Sequence, residues 1–192
     1  MDNEYCLDVD IGLNWILADQ NYFSTVDLDP LTVNHFKLRN EHLTAEFISW
    51  LESAGLELWF AELFYCPPNA GIFKHVDCVT PSDSCKLNWV YDQDQTLMRW
   101  FTLKDGASLI SDTTGIGSTY LRAEHESDYV LAHAHRIGKP SLVNVSVPHD
   151  VVNSSDAPRW CVSVAVKERG ADTRIGFNRL KELLVGPATV AR

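Results

Sequence analysis

Leu56-Glu-Leu-Trp-Phe-Ala-Glu-Leu-Phe-Tyr-Cys66, Pro67-Pro-Asn-Ala-Gly71 and Ile72-Phe-Lys-His75-Val-Asp77-Cys78 follow one another without a gap. The first piece is aromatic and apolar with short polar interruptions, which suits a strand. The second breaks it, because a proline donates no ladder bond and Asn and Gly favour turns. The third resumes in extended form. Residues i and i+2 of a strand project to one face, so the His75 imidazole and the Asp77 carboxylate emerge side by side.

The same rhythm of strand, turn and strand continues downstream. A break at Thr80-Pro-Ser-Asp-Ser84 precedes Lys86-Leu-Asn-Trp-Val-Tyr91, and a polar turn, Asp92-Gln-Asp-Gln95, precedes Leu97–Leu103. Lys104 to Asp128 is polar and rich in Gly, Ser and Thr. Its Gly115-Ile-Gly117 opens no helix after a strand, so it reads as a flap or insertion over a site and not as a phosphate-binding loop. Strands return at Tyr129–His135, Ser141–Val147 and Trp160–Val166.

Upstream, Leu43, Phe47, Trp50, Leu51 and Ala54 recur at helical intervals. The spacing predicts a helical region within Leu31–Leu56 that starts near Pro30, with Asn40 as N-cap and Gly55 closing it. Residues 1–30 read as one or two peripheral strands or irregular segments. Phe177–Leu184 reads as a short amphipathic helix closed near Gly186.

One helix followed by six or seven strands is most economically satisfied by two sheets wrapped as a jelly roll, mainly β with flanking helices. We expect one domain over 1–192, with an N-terminal flank (1–55), a β core (56–166) and a C-terminal helix and tail (167–192).

The 192 residues carry 16 basic and 26 acidic side chains, a formal charge of −10. That balance argues against nonspecific nucleic-acid binding and against an anionic membrane surface. No apolar run approaches the roughly 18–20 residues of a membrane span, and the first residues lack the basic region of a signal peptide. A cytoplasmic protein is expected. Five cysteines, an odd number without framework spacing, suit reduced thiols. His75, Cys78 and Cys85 lack the CxxC pair of a structural zinc site.

The chemistry gathers downstream of the opening stretch. His149 follows Pro148 at a strand tip, which predicts a sheet edge or mouth. Ten residues later Arg159 leads a strand that puts Arg159, Cys161 and Ser163 on one face. A guanidinium facing a protein interior is costly unless it meets an anion, and Arg grips a carboxylate with two parallel hydrogen bonds. His75 and Asp77 make two thirds of the His-Asp-His facial triad that holds non-haem Fe(II). Taken singly, each has a plainer reading: a satisfied buried histidine, a strand-end acid, or an Arg159 ion pair with Asp150 or Asp156.

Together, His75-x-Asp77, His149 and Arg159 resemble the 2-oxoglutarate- and Fe(II)-dependent oxygenases. The likeness is to the aspartyl/asparaginyl-hydroxylase-like and phage or bacterial members. Pro67-Pro-Asn-x-x-x-x-x-His75-x-Asp77, Leu87-Asn-Trp89 and Asn144-x-Ser-x-Pro-His149-x-Val-x-Asn153-x-x-x-x-x-Arg159 carry it, over about Leu56 to Val166. The resemblance implies His75, Asp77 and His149 as iron ligands and Arg159 on the distal carboxylate of 2-oxoglutarate. Three protein ligands would leave two positions for the oxo acid and one for O2. Many members place a hydroxyl two residues after the Arg, where this chain has Cys161; Ser163 is then the helper, with Asn88 and Trp100 lining the pocket.

The implied reaction is hydroxylation with release of succinate and CO2, on a small molecule, an amino acid or a protein side chain. The pocket rim is expected from residues 92–130 and the N-terminal region. Two other readings compete. His133-Ala-His135 with His149 is similar to a cupin metal site working without cosubstrate, although the usual Glu after HxH is missing. A noncatalytic jelly-roll module is the other.

Overall fold

The computed structural model describes residues 3–77, 83–91, 96–114 and 117–186. Cys78, Thr80–Ser82 of one expected turn, all of the turn at 92–95, and Gly115 and Ile116 of the Gly-Ile-Gly segment lie outside the described residues. In chain order the elements are β1 (Cys6–Asp8), α1 (Tyr22–Thr25), β2 (Asn34–Leu38), α2 (Ala45–Ser53), β3 (Leu56–Cys66), β4 (Ala70–His75), β5 (Cys85–Tyr91) and β6 (Thr96–Leu103). They continue with β7 (Leu109–Thr113), β8 (Thr119–Ala123), β9 (Tyr129–His135), β10 (Ser141–Asn144), β11 (His149–Asn153), β12 (Arg159–Glu168) and α3 (Phe177–Val185).

A six-stranded sheet, β1-β10-β5-β12-β3-β2, faces a four-stranded one, β4-β11-β6-β9, and every pair is antiparallel. From β3 to β6 the chain alternates between the large and the small sheet. After the β7–β8 hairpin it resumes with β9 in the small sheet and alternates again to β12. This is the double-stranded β-helix, or jelly roll, expected from the turn-punctuated strands.

The apolar core does not lie where two stacked sheets would usually put it. Val162, Val164 and Val166 of β12, Leu63 of β3 and Leu87 and Trp89 of β5 pack with Phe47 and Leu51 of α2 and Phe177 and Leu180 of α3. The large sheet therefore buries its outer face under the helices. Phe47 meets Trp89 edge-on, with ring centroids 5.2 Å apart, a favoured aromatic geometry. The alternate residues of the same strands turn inward, and there Arg159, Ser163, Lys86 and Asn88 are buried and polar. A smaller apolar cluster, with Met98, Trp100, Val143 and Val151, fills the rest of the space between the sheets.

Several expectations need correction. The helix is shorter than the Leu31–Leu56 pattern implied. Its N-cap is Thr44, whose hydroxyl accepts from the Phe47 amide, while Asn40 opens a single 3-10 turn. Asn34–Leu38 is an edge strand on β3, because that outer edge would otherwise leave its backbone groups unpaired. Gly55 closes the helix as expected, at φ +72°. The polar stretch from Lys104 contains a regular hairpin, β7–β8. His149 does not lie on an edge strand, since β11 is flanked by β4 and β6. Pro148 sits just outside that strand, so no ladder bond is lost, and its carbonyl accepts from Phe101. Among the described residues no helix is long and apolar enough to cross a membrane.

β4 and β11 approach unusually closely at Gly71, where a Cβ would lie 2.7 Å from the Val151 carbonyl oxygen. Gly71→Val should therefore push β4 away from β11. The expected loss is about 1–3 kcal/mol, the usual range for overpacking, read as a lowered denaturant midpoint.

Candidate metal centre

β4 ends at His75, and the chain bends at once. Val76 exchanges both backbone hydrogen bonds with Leu121 of β8, at 2.8 and 2.9 Å, and the Asp77 amide donates to Val145 at 3.3 Å. His149 opens β11 directly opposite His75, with ring centroids 4.6 Å apart. Each imidazole puts Nδ1 against the carbonyl two residues earlier: His75 on Phe73 at 2.7 Å, His149 on Val147 at 2.9 Å. A carbonyl only accepts, so each Nδ1 carries the hydrogen and each Nε2 faces the site. This backbone anchoring is what orients metal-bound histidines.

Both Nε2 atoms converge on one carboxylate oxygen. Asp77 Oδ1 lies 2.9 Å from His75 Nε2 and 3.8 Å from His149 Nε2, and one ligand atom of each residue lies within 4.8 Å of the others. With His75 Nδ1–H committed to Phe73, something positive must stand between His75 Nε2 and Asp77 Oδ1, a proton or a metal ion. Two imidazoles and one carboxylate on one side of an ion suit a divalent first-row metal with open positions.

Charge inside the site is set by Lys86, whose Nζ lies 2.7 Å from Asp77 Oδ2 and 3.1 Å from Glu62 Oε2. All three side chains are nearly or largely withdrawn from water. Burial alone would raise the Asp77 carboxyl; the Lys86 charge and the His75 hydrogen bond instead hold it well below the usual carboxylate range. Burial opposes charge on Lys86 too, yet Asp77 and Glu62 push its pKa up. For His75, burial is outweighed by Asp77, and the pKa rises. His149 is pulled down to about 4 by burial and by the neighbouring His75 charge, so it is neutral near pH 7.

Two cavities share the wall that carries these residues. The outer, about 320 Å³, is lined by Phe60, Phe64, Phe73, His35 and Arg174, with Thr114, Ser118, Thr119 and Tyr120 from the hairpin segment. The inner, about 50 Å³, is bounded by His149, Arg159, Cys161, Ser163 and Asn88. His75, Asp77, Lys86, Phe64 and Ile72 line both.

Arg159 opens β12 and is 2% exposed, and its Nε is buried with no hydrogen-bond partner. Neither alternative acid takes it: Asp150 pairs with Arg99 at 2.9 Å, and Asp156 accepts from Asn69. Ser163 donates to Asn88 Oδ1 at 2.6 Å inside the same cavity. Trp100 lines neither cavity; its indole donates to the Asn144 carbonyl at 2.8 Å and its ring packs against Tyr5 and His133.

His133 and His135 do not join His149. In register, Trp100 stands between His149 and His133, and the two histidines group with Cys6 instead. The HxH set with His149 is thus not assembled. Cys85 faces the Ile175 carbonyl, and Cys6, Cys66, Cys85 and Cys161 are buried thiols. Sequence reading missed Lys86, Glu62 and the hairpin's Tyr120. The available signal was alternation: Lys86 and Asn88 fall on one face of an otherwise apolar strand, and Glu62 interrupts the apolar run of β3.

No family model matches the chain, and no curated protein matches it in sequence. Among solved structures it is similar to an oxalate oxidase bound to the substrate analogue glycolate, at TM-score 0.36 and 13% identity, over 94% of this chain and 92% of that one. It is also similar to a mutant of Bacillus subtilis oxalate decarboxylase, at TM-score 0.34 and 12% identity, over 80% of this chain. A non-heme monooxygenase in complex with Ni gives TM-score 0.35 and 15% identity over 69% of this chain. The chain spans 29% of the decarboxylase and 56% of the monooxygenase. Likenesses of this size leave the chemistry to the side chains themselves.

Replacing Lys86 with Met should leave two buried carboxylates facing each other. We expect a loss of about 3–5 kcal/mol, the range for breaking a buried ion pair from one side. Adding Glu62→Gln to Lys86→Met should recover part of it, measured as a double-mutant cycle in denaturant melts.

Proposed function

We propose that the chain is a 2-oxoglutarate- and Fe(II)-dependent oxygenase, with His75, Asp77 and His149 as the iron ligands and Arg159 as the anchor of the cosubstrate. The observation that carries this reading is the buried Arg159 guanidinium, its Nε without a partner, on the wall of the cavity that also holds the three ligand side chains. A cation so placed calls for an anion, and a carboxylate meets it best.

Charge balance supports a dianion. Across the wall that the two cavities share, Asp77 and Glu62, the latter reaching Lys86 from the outer cavity, offset Lys86 and Arg159. A divalent metal would then leave two positive charges, which a dicarboxylate neutralises. The donor chemistry fits as well. Lys86 occupies Asp77 Oδ2 and leaves Oδ1 for the metal, so the carboxylate offers one oxygen and open positions remain.

Bound there, Fe(II), 2-oxoglutarate and O2 would supply the oxidation that inserts one oxygen into a substrate C–H bond, the oxo acid leaving as succinate and CO2. The chain's own residues have other tasks. Phe73 and Val147 carbonyls hold the imidazoles in one tautomer. Ser163 and Asn88 add polar contacts beside Arg159. Phe60, Phe64, Phe73 and Tyr120 wall the outer cavity with aromatic surface. That cavity would take the substrate, a small molecule, an amino acid or a protein side chain, with Arg174 and His35 on its lining as polar handles.

Succinate release from the purified chain should require both Fe(II) and 2-oxoglutarate and vanish with a chelator. His75→Ala should abolish it together with metal binding. Arg159→Met should raise the KM for 2-oxoglutarate on the order of 100-fold, as expected when one side of a buried charge pair is removed, while metal affinity stays within a few-fold. Iron binding with no succinate release across a panel of metabolites and peptides would favour the noncatalytic module.

A further inference from the structure

A second convergence of metal-ligating side chains lies where outer edges of the two sheets meet. β1 is the outermost strand of the large sheet on one side, and β9 is an outermost strand of the small one. Cys6 and Asp8 lie two apart on β1, and His133 and His135 two apart on β9, so each pair shares a strand face. Cys6 Sγ is 3.9 Å from His133 Nε2, and one donor atom of each of Cys6, His133 and His135 lies within 4.8 Å of the others. Sulfur and nitrogen bound to one tetrahedral zinc ion stand roughly 3.6 Å apart, from the usual bond lengths.

The lone pairs point the right way. Asn3 Oδ1 accepts from the Tyr5 and Cys6 amides, at 2.9 and 3.3 Å, which fixes the orientation of its amide. Its Nδ2 is then the donor that faces both Cys6 Sγ at 3.4 Å and His133 Nε2 at 3.3 Å. Two atoms thus turn their lone pairs to one place, filled here by long hydrogen bonds. Tyr5 stacks on the His133 ring at 5.3 Å and holds it. Asp8 Oδ1, fixed by the Ser141 hydroxyl at 2.8 Å, lies 3.2 Å from His135 Nε2. With Asp8 on Nε2, His135 would offer its Nδ1 to an ion, the arrangement in which a carboxylate supports a ligand histidine from outside.

We propose that Cys6, His133 and His135 form a second cation site, for a borderline-soft divalent ion of the zinc class, with Asp8 supporting His135. One thiolate and two imidazoles exclude the hard, oxygen-seeking ions Mg²⁺ and Ca²⁺ as natural occupants. The site differs from the first in carrying sulfur, and it stands whether or not the first is catalytic. An ion held there ties β1 to β9 and closes the open end of the jelly roll.

The metal-stripped full chain, titrated with Co²⁺ alone, should develop near-ultraviolet thiolate-to-cobalt absorption at one equivalent per chain, and Zn²⁺ should remove it. The band should persist in His75→Ala and disappear in Cys6→Ser. Asp8→Asn, which keeps all three donors, should weaken Zn²⁺ binding roughly 10–100-fold. Zn²⁺ should also raise the melting temperature of His75→Ala. Should Cys6→Ser fail to fold, His133→Gln, on a partly exposed residue, should weaken the cobalt signal at least about tenfold on the same footing. No thiolate band, a band that survives in Cys6→Ser, or one lost in His75→Ala would overturn the proposal.

Discussion

The Lys86 ammonium is the charge on which the interior depends. It reaches Asp77 across the gap between the sheets and Glu62 on a nearby strand, at 2.7 and 3.1 Å. Burial by itself would resist ionisation of Asp77. Lys86 between the two acids holds the Asp77 carboxyl ionised, and Asp77 is left with one oxygen facing the two imidazoles. The polar filling between the sheets has a structural counterpart. Because that space holds ions, the apolar residues of β3, β5 and β12 turn outward, and α2 and α3 must cover them.

How much of the fold and the site was legible in the sequence depends on which rules are local. Strand alternation is local, so the common face of Arg159 with Cys161 and Ser163 could be read directly, whereas His75 and Asp77 meet although β4 ends at His75 and Asp77 lies in the bend beyond it. The jelly roll was legible from turn spacing, and Gly55 from its place after the last helical residue. Which strands become neighbours is not local. Glu62, Lys86 and Asp77 are brought together only by pairing of β3 with β12 and β12 with β5 and by the crossing of β4 to the other sheet. The N-cap error has a similar cause. Asn40 and Thr44 are both good caps, and the choice fell to Thr44 because Leu43 is held extended in a bridge with Leu17, with His42 and Thr44 bonded to Ala18 and Ile16 on either side.

His133 and His135 illustrate the same limit from the other side. Sequence spacing linked them to His149, the nearest histidine downstream. In the sheet, Trp100 lies between His133 and His149, and the edge strand β1, more than a hundred residues upstream, supplies Cys6. A three-residue strand such as β1 cannot be assigned to a partner by periodicity; it takes the register of β1 on β10 to carry Cys6 there.

The exchange of backbone bonds between Val76 and Leu121 has a bearing on how the outer cavity of such a protein can be remodelled. Val76 is the residue between two candidate ligands, and Leu121 follows Tyr120 on the rim of the outer cavity. The part of the chain that rims the outer cavity is therefore fastened, peptide to peptide, to the part that would meet a metal. A new rim cannot simply be grafted on. Any hairpin that replaces β7–β8 must return a strand at the same height beside Val76, or the ligand pair shifts with it. Variation is free at the hairpin tip and constrained at its root, so descendants of this fold would be expected to differ in the loop while keeping the seam.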